Sequence, residues 1–304
     1  VWVRGSDAVA AVDHVVTNSV AALPDGKACY AGLLNPSGGF LDDLIVYRFA
    51  ADEIFICLNA SNAARDIAWM REQIGSRVDI VDVCADYGQI AVQGPEAVAL
   101  VDGLSPADLA SLAPFCMQRA EIAGVHQVIV ARTGYTGEDG FELYIPQAET
   151  VAVWRALLEA GVTPCGLGAR DSLRLEMKYA LYGNDIDETV NPIEAGLGWV
   201  CKDKTKDFIG ADAVRAMRAQ GAPRKLVGLE LEGRRVARSG SPVVDGDGQQ
   251  IGQVTSGAFS PSLKKSIAVA LVSKENARPG TALGVDIRGR VHQAVVVKTP
   301  FLKR

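Results

Sequence analysis
Asp42 and Asp43 open the run Leu41-Asp-Asp-Leu-Ile-Val-Tyr-Arg-Phe49, directly behind the turn signal Asn35-Pro36-Ser37-Gly38-Gly39. The run alternates with period two, so Asp42, Leu44, Val46 and Arg48 share one strand face and Asp43, Ile45 and Tyr47 the other. One carboxylate at most can therefore face a given cavity. Behind a double glycine that allows close approach of a ligand to the backbone, it is a candidate catalytic group. The competing expectation is a charged pair ending a strand in solvent, where acidic residues ordinarily sit. A second carboxylate follows the loop Thr133-Gly-Tyr-Thr-Gly-Glu-Asp-Gly140. On the strand leaving that loop, Glu142 and Tyr144 stand opposite Phe141, Leu143 and Ile145, which puts the carboxylate on the side away from the expected core. Arg170 and Arg174 lie one helical turn apart, and Asp43, Glu142, Asp171 and Glu176 are the available partners. An Arg and a carboxylate about 4 Å apart attract by roughly 4 kcal/mol at an effective dielectric of 20, enough to fix geometry when desolvation is partial.

Several chemistries are excluded by what is missing. The three histidines are scattered and form no His-Glu-x-x-His pattern, so no metal site is expected. Gly-x-Ser-x-Gly, the phosphate loop and the dinucleotide fingerprint are absent, and Gly166-Leu-Gly168 alone is too weak to count. The six cysteines are irregularly spaced with no Cys-x-x-Cys pair, the pattern of a reducing compartment. A formal net charge of −5 supplies no basic field for nucleic acid or an anionic membrane, and no apolar run reaches spanning length. What remains is carboxylates, tyrosines and arginines, which suit binding and proton handling of a polar aromatic ligand.

The elements that must position these groups follow from the pattern. A strand is expected at the start, then a helix over 7–20 with Val9, Val12, Val16 and Val20 on one stripe. Strands over 28–34, 41–49, 53–58 and 78–83 and an amphipathic helix over 61–74 complete a first unit. A second unit has strands over 89–93, 118–122, 127–132 and 141–145 and helices over 96–104, 149–160 and from about 169. After a helix over 211–219, strands over 225–230, 250–255, 266–271, 282–287 and 293–298 predict a small antiparallel barrel or jelly roll. The expected fold is α+β: mixed or antiparallel sheets flanked by helices in two interleaved domains, with a C-terminal antiparallel β-barrel or jelly roll. The domains are expected over 1–84, 85–200 and 201–304.

Five stretches carry a family likeness: Gly38-Gly39-Phe-Leu-Asp-Asp-Leu-Ile-Val-Tyr47, Arg132-Thr-Gly-Tyr-Thr-Gly-Glu-Asp-Gly-Phe-Glu142, Gly166-Leu-Gly-Ala-Arg-Asp-Ser-Leu-Arg-Leu-Glu176, Leu181-Tyr-Gly-Asn-Asp-Ile-Asp-Glu188 and Thr255-Ser-Gly-Ala-Phe-Ser-Pro-Ser-Leu263. With these in order over essentially its whole length, the chain resembles the T-protein of the glycine cleavage system, the tetrahydrofolate-dependent aminomethyltransferase. Family members also carry an N-terminal segment with an Asp-Val-Ser-His-Met motif that this sequence lacks. The resemblance implies transfer of the methylene from an aminomethyl group on the lipoyl arm of H-protein to tetrahydrofolate as co-substrate, with release of ammonia and the reduced arm. It implies that Asp43 is the catalytic aspartate and that Glu142 grips the pterin edge. Tyr30, Tyr47, Asn59, Tyr135, Arg170 and Tyr179 match further cofactor-binding positions. It also implies a cytoplasmic (bacterial) or mitochondrial matrix setting, with neither nucleic acid nor membrane as partner. Two alternatives share the fold: a folate-dependent demethylase or oxidase-associated module, and a non-enzymatic folate-binding protein of iron–sulphur assembly.

Overall fold
The computed structural model describes residues 1–202 and 206–303. They form two compact units, one of Val1–Leu33, Asp42–Cys165 and Lys206–Phe208, the other of Leu34–Leu41, Gly166–Thr205 and Ile209–Arg304. The fold is α+β, with antiparallel sheets and a closed barrel.

The first unit contains two sheets. In one, β1 (Trp2–Arg4), β2 (Lys27–Leu34), β3 (Phe40–Ala50), β4 (Glu53–Cys57) and β5 (Asp79–Val81) lie in the order β2-β3-β4-β1-β5, with helices α1 (Ala8–Val15) and α2 (Ala63–Ile74) between strands. In the other, β6 (Tyr87–Gln93), β7 (Met117–Ile122), β8 (Val125–Ala131) and β9 (Gly140–Pro146) lie in the order β6-β9-β8-β7. Helices α3 (Ala97–Asp102) and α4 (Thr150–Glu159) cover one face of this sheet, where Val101, Val153 and Leu157 pack on Phe141, Leu143 and Ile145. The opposite face is covered as well. Ile129, Ala131 and Tyr144 share a core with Trp2, Tyr47 and Phe55 of the first sheet, so the side of β9 that carries Glu142 is no solvent face. Each such side chain contributes roughly 1.5–3 kcal/mol on burial, enough in sum to draw polar neighbours out of water with them.

Strands β7 and β8 are joined by a two-residue hairpin at Ala123-Gly124, with φ of 50° and 82° and Ile122 paired to Val125, so β8 begins two residues before the expected 127. The helix expected over 7–20 stops at Val15. Val16 is extended and bridges to Leu33, and Asp13 Oδ1 accepts from the Val20 and Ala21 amides, offering the backbone an alternative to further helix. Val16 and Val20 are buried all the same, which is why their spacing mimics a longer helix.

In the second unit, α5 (Leu167–Glu176), a short α6 (Pro192–Ala195) and α7 (Ala211–Gln220) precede a barrel. Strands β10 (Arg224–Leu231), β11 (Pro242–Val244), β12 (Gln250–Ser260), β13 (Lys265–Ser273), β14 (Ala282–Asp286) and β15 (Val291–Val297) close in the order β10-β13-β12-β11-β14-β15, with β15 returning to β10. The barrel, not the jelly roll, is the outcome. Along β13, Ala268, Ala270 and Val272 point inward while Ile267 and Val269 point outward beneath Leu175 of α5. Strand β11 escaped the sequence pattern because it is three residues long and begins with Pro, tolerated at a strand's first position. It bonds both β12 and β14, and so closes the wall.

The double glycine has a different use from the one expected. A Cβ on Gly39 would stand 1.8 Å from the Glu188 carbonyl oxygen, so glycine there admits the chain's own backbone and not a ligand. No helix among the described residues is long and apolar enough to cross a membrane.

Candidate functional site
Both members of the Asp pair are withdrawn from solvent. Asp42 is fully buried and Asp43 half-buried, on opposite faces of β3 as the alternation requires. Asp43 Oδ2 accepts from the Tyr30 hydroxyl of β2 at 2.8 Å, and its Oδ1 from Asn59 Nδ2 at 3.0 Å. The same Asn59 nitrogen donates to Asp42 Oδ1 at 2.9 Å and to the Asp43 carbonyl at 3.0 Å, tying the two acids to the loop after β4. Burial is the main reason that the Asp43 carboxyl is pushed up to about 6; the Tyr30 hydrogen bond pulls it down, the charge of Asp42 pushes it up, and Asn59 pulls it down again. Such a group changes protonation close to neutrality, the property a proton-handling carboxylate needs.

Glu142 comes from β9. Its Oε2 accepts from Thr133 Oγ1 at 2.5 Å and its Oε1 from Gln89 Nε2 at 3.1 Å, so two neighbouring elements fix the side chain. The loop that delivers it is itself braced: Arg132 meets Asp139 through Nε–Oδ1 at 2.9 Å and Nη2–Oδ2 at 2.6 Å. Gly140 enters β9 with φ of 153°, and a Cβ there would lie 2.1 Å from the Val92 carbonyl oxygen. Only glycine lets β9 start at this place.

The two carboxylates belong to one inter-sheet face. Tyr47, on the Asp43 side of β3, meets Tyr144, on the Glu142 side of β9, hydroxyl to hydroxyl at 2.8 Å, and meets Thr133 Oγ1 at 3.3 Å. Burial first, and then the charge of Glu142, push the Tyr47 phenol well above its ordinary value, so it stays a neutral hydroxyl. Tyr135, in the loop before β9, is close enough to Tyr30 for the two phenols to interact electrostatically. Asp43, Tyr30 and Asn59 thus stand toward one end of this face, with Tyr135 beside Tyr30. Glu142, Thr133 and Gln89 stand around the Tyr47–Tyr144 contact. Strands rise about 3.3 Å per residue, so four residues from Asp43 to Tyr47 and two from Glu142 to Tyr144 span about 13 and 7 Å, the scale of a fused-ring ligand with an aryl tail.

Arg170 and Tyr179 belong to the other unit, both exposed, on α5 and just beyond it. Between them Arg174 is buried; of the partners the sequence offered it takes Asp171, and it adds Asp185, which the sequence did not offer. Nη1 donates to Asp185 Oδ2 at 2.6 Å and to the Tyr179 carbonyl at 3.1 Å; Nη2 donates to Asp171 Oδ1 and Ser256 Oγ, each at 2.8 Å. Glu176, the other acid of α5, instead accepts from Ser260 Oγ at 2.6 Å and Ser262 Oγ at 3.2 Å. Sequence reasoning missed Thr133, Gln89 and Tyr144 as functional neighbours. The period-two alternation that singled out Glu142 already put Tyr144 beside it.

Comparison with known proteins places the whole chain. The GCVT N-terminal domain family matches residues 1–205, and the glycine cleavage T-protein C-terminal barrel domain family matches residues 224–303. The chain is 44% identical over 308 residues to an aminomethyltransferase of Anoxybacillus flavithermus, covering 99% of this chain and 84% of that protein. It is 44% identical over 305 residues to an aminomethyltransferase of Synechococcus elongatus, covering 99% and 82%. The crystal structure of the glycine cleavage system aminomethyltransferase T from Bartonella henselae superposes with a TM-score of 0.91 at 33% identity, covering 99% of this chain and 83% of that one. With both halves matched in order and the relatives aligned from end to end of the chain, the protein belongs to the glycine cleavage T-protein family of aminomethyltransferases.

Proposed function
We propose that this aminomethyltransferase takes the aminomethyl group from the lipoyl arm of H-protein and passes its methylene carbon to tetrahydrofolate, releasing ammonia and the reduced arm. The observation that supports it most is the pair of half-buried carboxylates, Asp43 and Glu142, on one face between two sheets. The donor set suits a reduced pterin. An ionised carboxylate offers about four acceptor sites, so Glu142 can be held by Thr133 and Gln89 while it accepts the adjacent ring N–H and amino donors of the pterin edge. Tetrahydrofolate supplies the nucleophilic nitrogens. Asp43 orients them and takes up the proton released there, as a base whose proton affinity lies near working pH. Tyr30 and Asn59 hold its two oxygens in place for that transfer.

Tyr30, Tyr47, Asn59 and Tyr135 are assigned to stacking and hydrogen bonding around the ligand, and Arg170 and Tyr179 to cofactor binding or to the approaching arm. The same reading takes the β1–β5 sheet, the β6–β9 sheet and the barrel as three domains, divided near 84 and 200. It assigns the protein to the bacterial cytoplasm or the mitochondrial matrix, in keeping with the lack of any disulfide among the described residues.

Methylene transfer to tetrahydrofolate from aminomethylated H-protein, run beside transfer from sarcosine-type donors, tests the assignment. Turnover with the H-protein donor supports it, and turnover with methylated amines alone rejects it. A finer test concerns the acid limb of the pH profile. Because the Tyr30 hydrogen bond favours ionised Asp43, Tyr30→Phe raises the carboxyl further above about 6, and the acid limb of kcat/KM moves to higher pH. A limb that moves down or stays in place contradicts the role of Tyr30.

A further inference from the structure
Two more carboxyl groups stand behind Asp43, and the reaction as proposed uses neither. Asp42 is fully buried on the reverse face of β3, and Asp66 is buried in the first turn of α2. Asp42 Oδ1 accepts from Nδ2 of Asn59 at 2.9 Å and of Asn62, the residue before α2, at 3.0 Å. Asp66 Oδ1 accepts from Nε and Nη2 of Arg65, each at 3.2 Å. The second oxygens, Asp42 Oδ2 and Asp66 Oδ2, are two of only three buried side-chain nitrogen or oxygen atoms among the described residues that find no donor. Yet these two side chains lie within hydrogen-bonding reach of each other. With both groups ionised, the two side chains offer each other acceptors only, and neither Oδ2 gains a donor. One proton between them satisfies both atoms at once and removes the repulsion of two charges sharing a dry site.

We propose that Asp66 is a positioning residue for Asp43: Asp42 and Asp66 share one proton between their Oδ2 atoms, and the pair holds the Asn59 amide that grips the Asp43 carboxylate. The chain of contacts is continuous, from Arg65 through Asp66, Asp42 and Asn59 to Asp43 and Tyr30. Facing the pair, the charged and titratable groups are Asp43 on its own strand and Arg65 on α2; Tyr30 of β2 lies beyond Asp43, with Tyr135 next to it. The role rests on reading Asp43 as the acting carboxylate, whereas the shared proton rests on the buried oxygens alone.

Titration gives the pair a signature. Burial first, and then the hydrogen bond to Asp42 and its charge, push the Asp66 carboxyl up from 3.8 to about 8, with Arg65 pulling the other way. The folded chain therefore keeps a proton that the unfolded chain has already released, and stability falls as pH climbs toward about 8. Asp43, raised only to about 6, adds to that fall at lower pH, and the buried Val1 amino group, held below its ordinary value by burial, contributes in the opposite direction, so from about pH 6.5 to about pH 8.5 it is the difference between the wild type and a variant lacking the Asp66 carboxyl that isolates the pair.

Asp66→Asn restores an N–H donor to Asp42 Oδ2 but cannot titrate, and Asp66→Ala removes the donor. Across that interval the thermal midpoint of the wild type is expected to fall relative to that of Asp66→Asn, since the Val1 amino group titrates alike in both. At neutral pH, Asp66→Asn is expected to keep kcat within about threefold, and Asp66→Ala to lose about tenfold or more with the KM for tetrahydrofolate little changed. Infrared spectra at neutral pH should contain a deuterium-sensitive carboxylic acid band that Asp66→Asn lacks. Absence of that band from the wild type, or equal pH dependence of the two midpoints, overturns the shared proton. Equal loss of kcat in Asp66→Asn and Asp66→Ala overturns the positioning role. The band and the midpoints involve no substrate, so they separate failure of the shared proton from failure of the catalytic reading of Asp43.

Discussion

Asp43→Asn is expected to lower kcat by about 10²–10⁴-fold, the range that a positioned proton-transfer group supplies, while tetrahydrofolate binds within a few-fold of its wild-type affinity. The substitution is isosteric. The carbonyl oxygen of the introduced amide can still accept a hydrogen bond, and the neighbouring Tyr30 and Asn59 remain, so the pocket keeps its shape while the proton acceptor is lost. The pH profile adds an independent signature. The wild-type carboxyl, raised by burial to about 6, must be ionised to take a proton, so the wild-type rate rises as pH passes through about 6. That rise should be missing from whatever rate the variant retains. Steady-state kinetics of methylene transfer across this range check both points, and a near-normal rate from Asp43→Asn rejects the role.

Arg174→Met is expected to be the most damaging single change to stability, by about 3–5 kcal/mol. The guanidinium is 2% exposed and Asp185 is 1% exposed, and their 2.6 Å contact is the strongest charge pairing that Asp185 has. Removing the cation strands a buried carboxylate, which keeps only the Leu181 amide and the Thr255 hydroxyl as donors. A surface pair lost in the same way would cost at most about 1 kcal/mol. Asp171, 47% exposed, illustrates the contrast: water replaces what it loses. The double variant Arg174→Met, Asp185→Asn should recover part of the loss, because the orphaned charge goes with its partner. Urea denaturation of the four proteins of the cycle measures this. Arg174 also holds the Tyr179 carbonyl at 3.1 Å, so its loss loosens the segment that carries Tyr179 and the helix that carries Arg170.

Much of the site was legible because strands sort their side chains by parity. The alternation in 41–49 and 141–145 separated Asp43 with Tyr47 from Asp42, and Glu142 with Tyr144 from Phe141, and the structure keeps both divisions. Parity says nothing about what covers a face. Glu142 was therefore assigned to the side away from the core when a second sheet lies over it, and Asp42, for which a strand end in solvent was the competing expectation, is the more deeply buried acid of the pair. Long-range partners were out of reach for the same reason. The Asn59 link between Asp42 and Asp43 joins positions 16 and 17 residues apart, and Thr255 reaches Asp185 across 70. Local composition misled in two places. Val16 and Val20 keep helical spacing in a segment that is not helical, and Gly39, whose neighbourhood suggested a ligand, makes room for the Glu188 carbonyl.

The barrel was legible in kind but not in closure. Five of its strands announce themselves by period-two apolar runs. The sixth, Pro242–Val244, has too few residues to show a period, and its bonds to β12 and β14 appear only when the wall is assembled.

Titration of tetrahydrofolate into the wild-type chain and into Glu142→Gln, followed by heat or intrinsic fluorescence, addresses most directly the claim that two acids on one inter-sheet face receive a reduced pterin. Saturable binding by the wild type, weakened by about tenfold or more in Glu142→Gln, is the expected result, since a charge-assisted pair of hydrogen bonds to the pterin edge is lost. Equal affinity in the two proteins, or no saturable binding by the wild type, contradicts it.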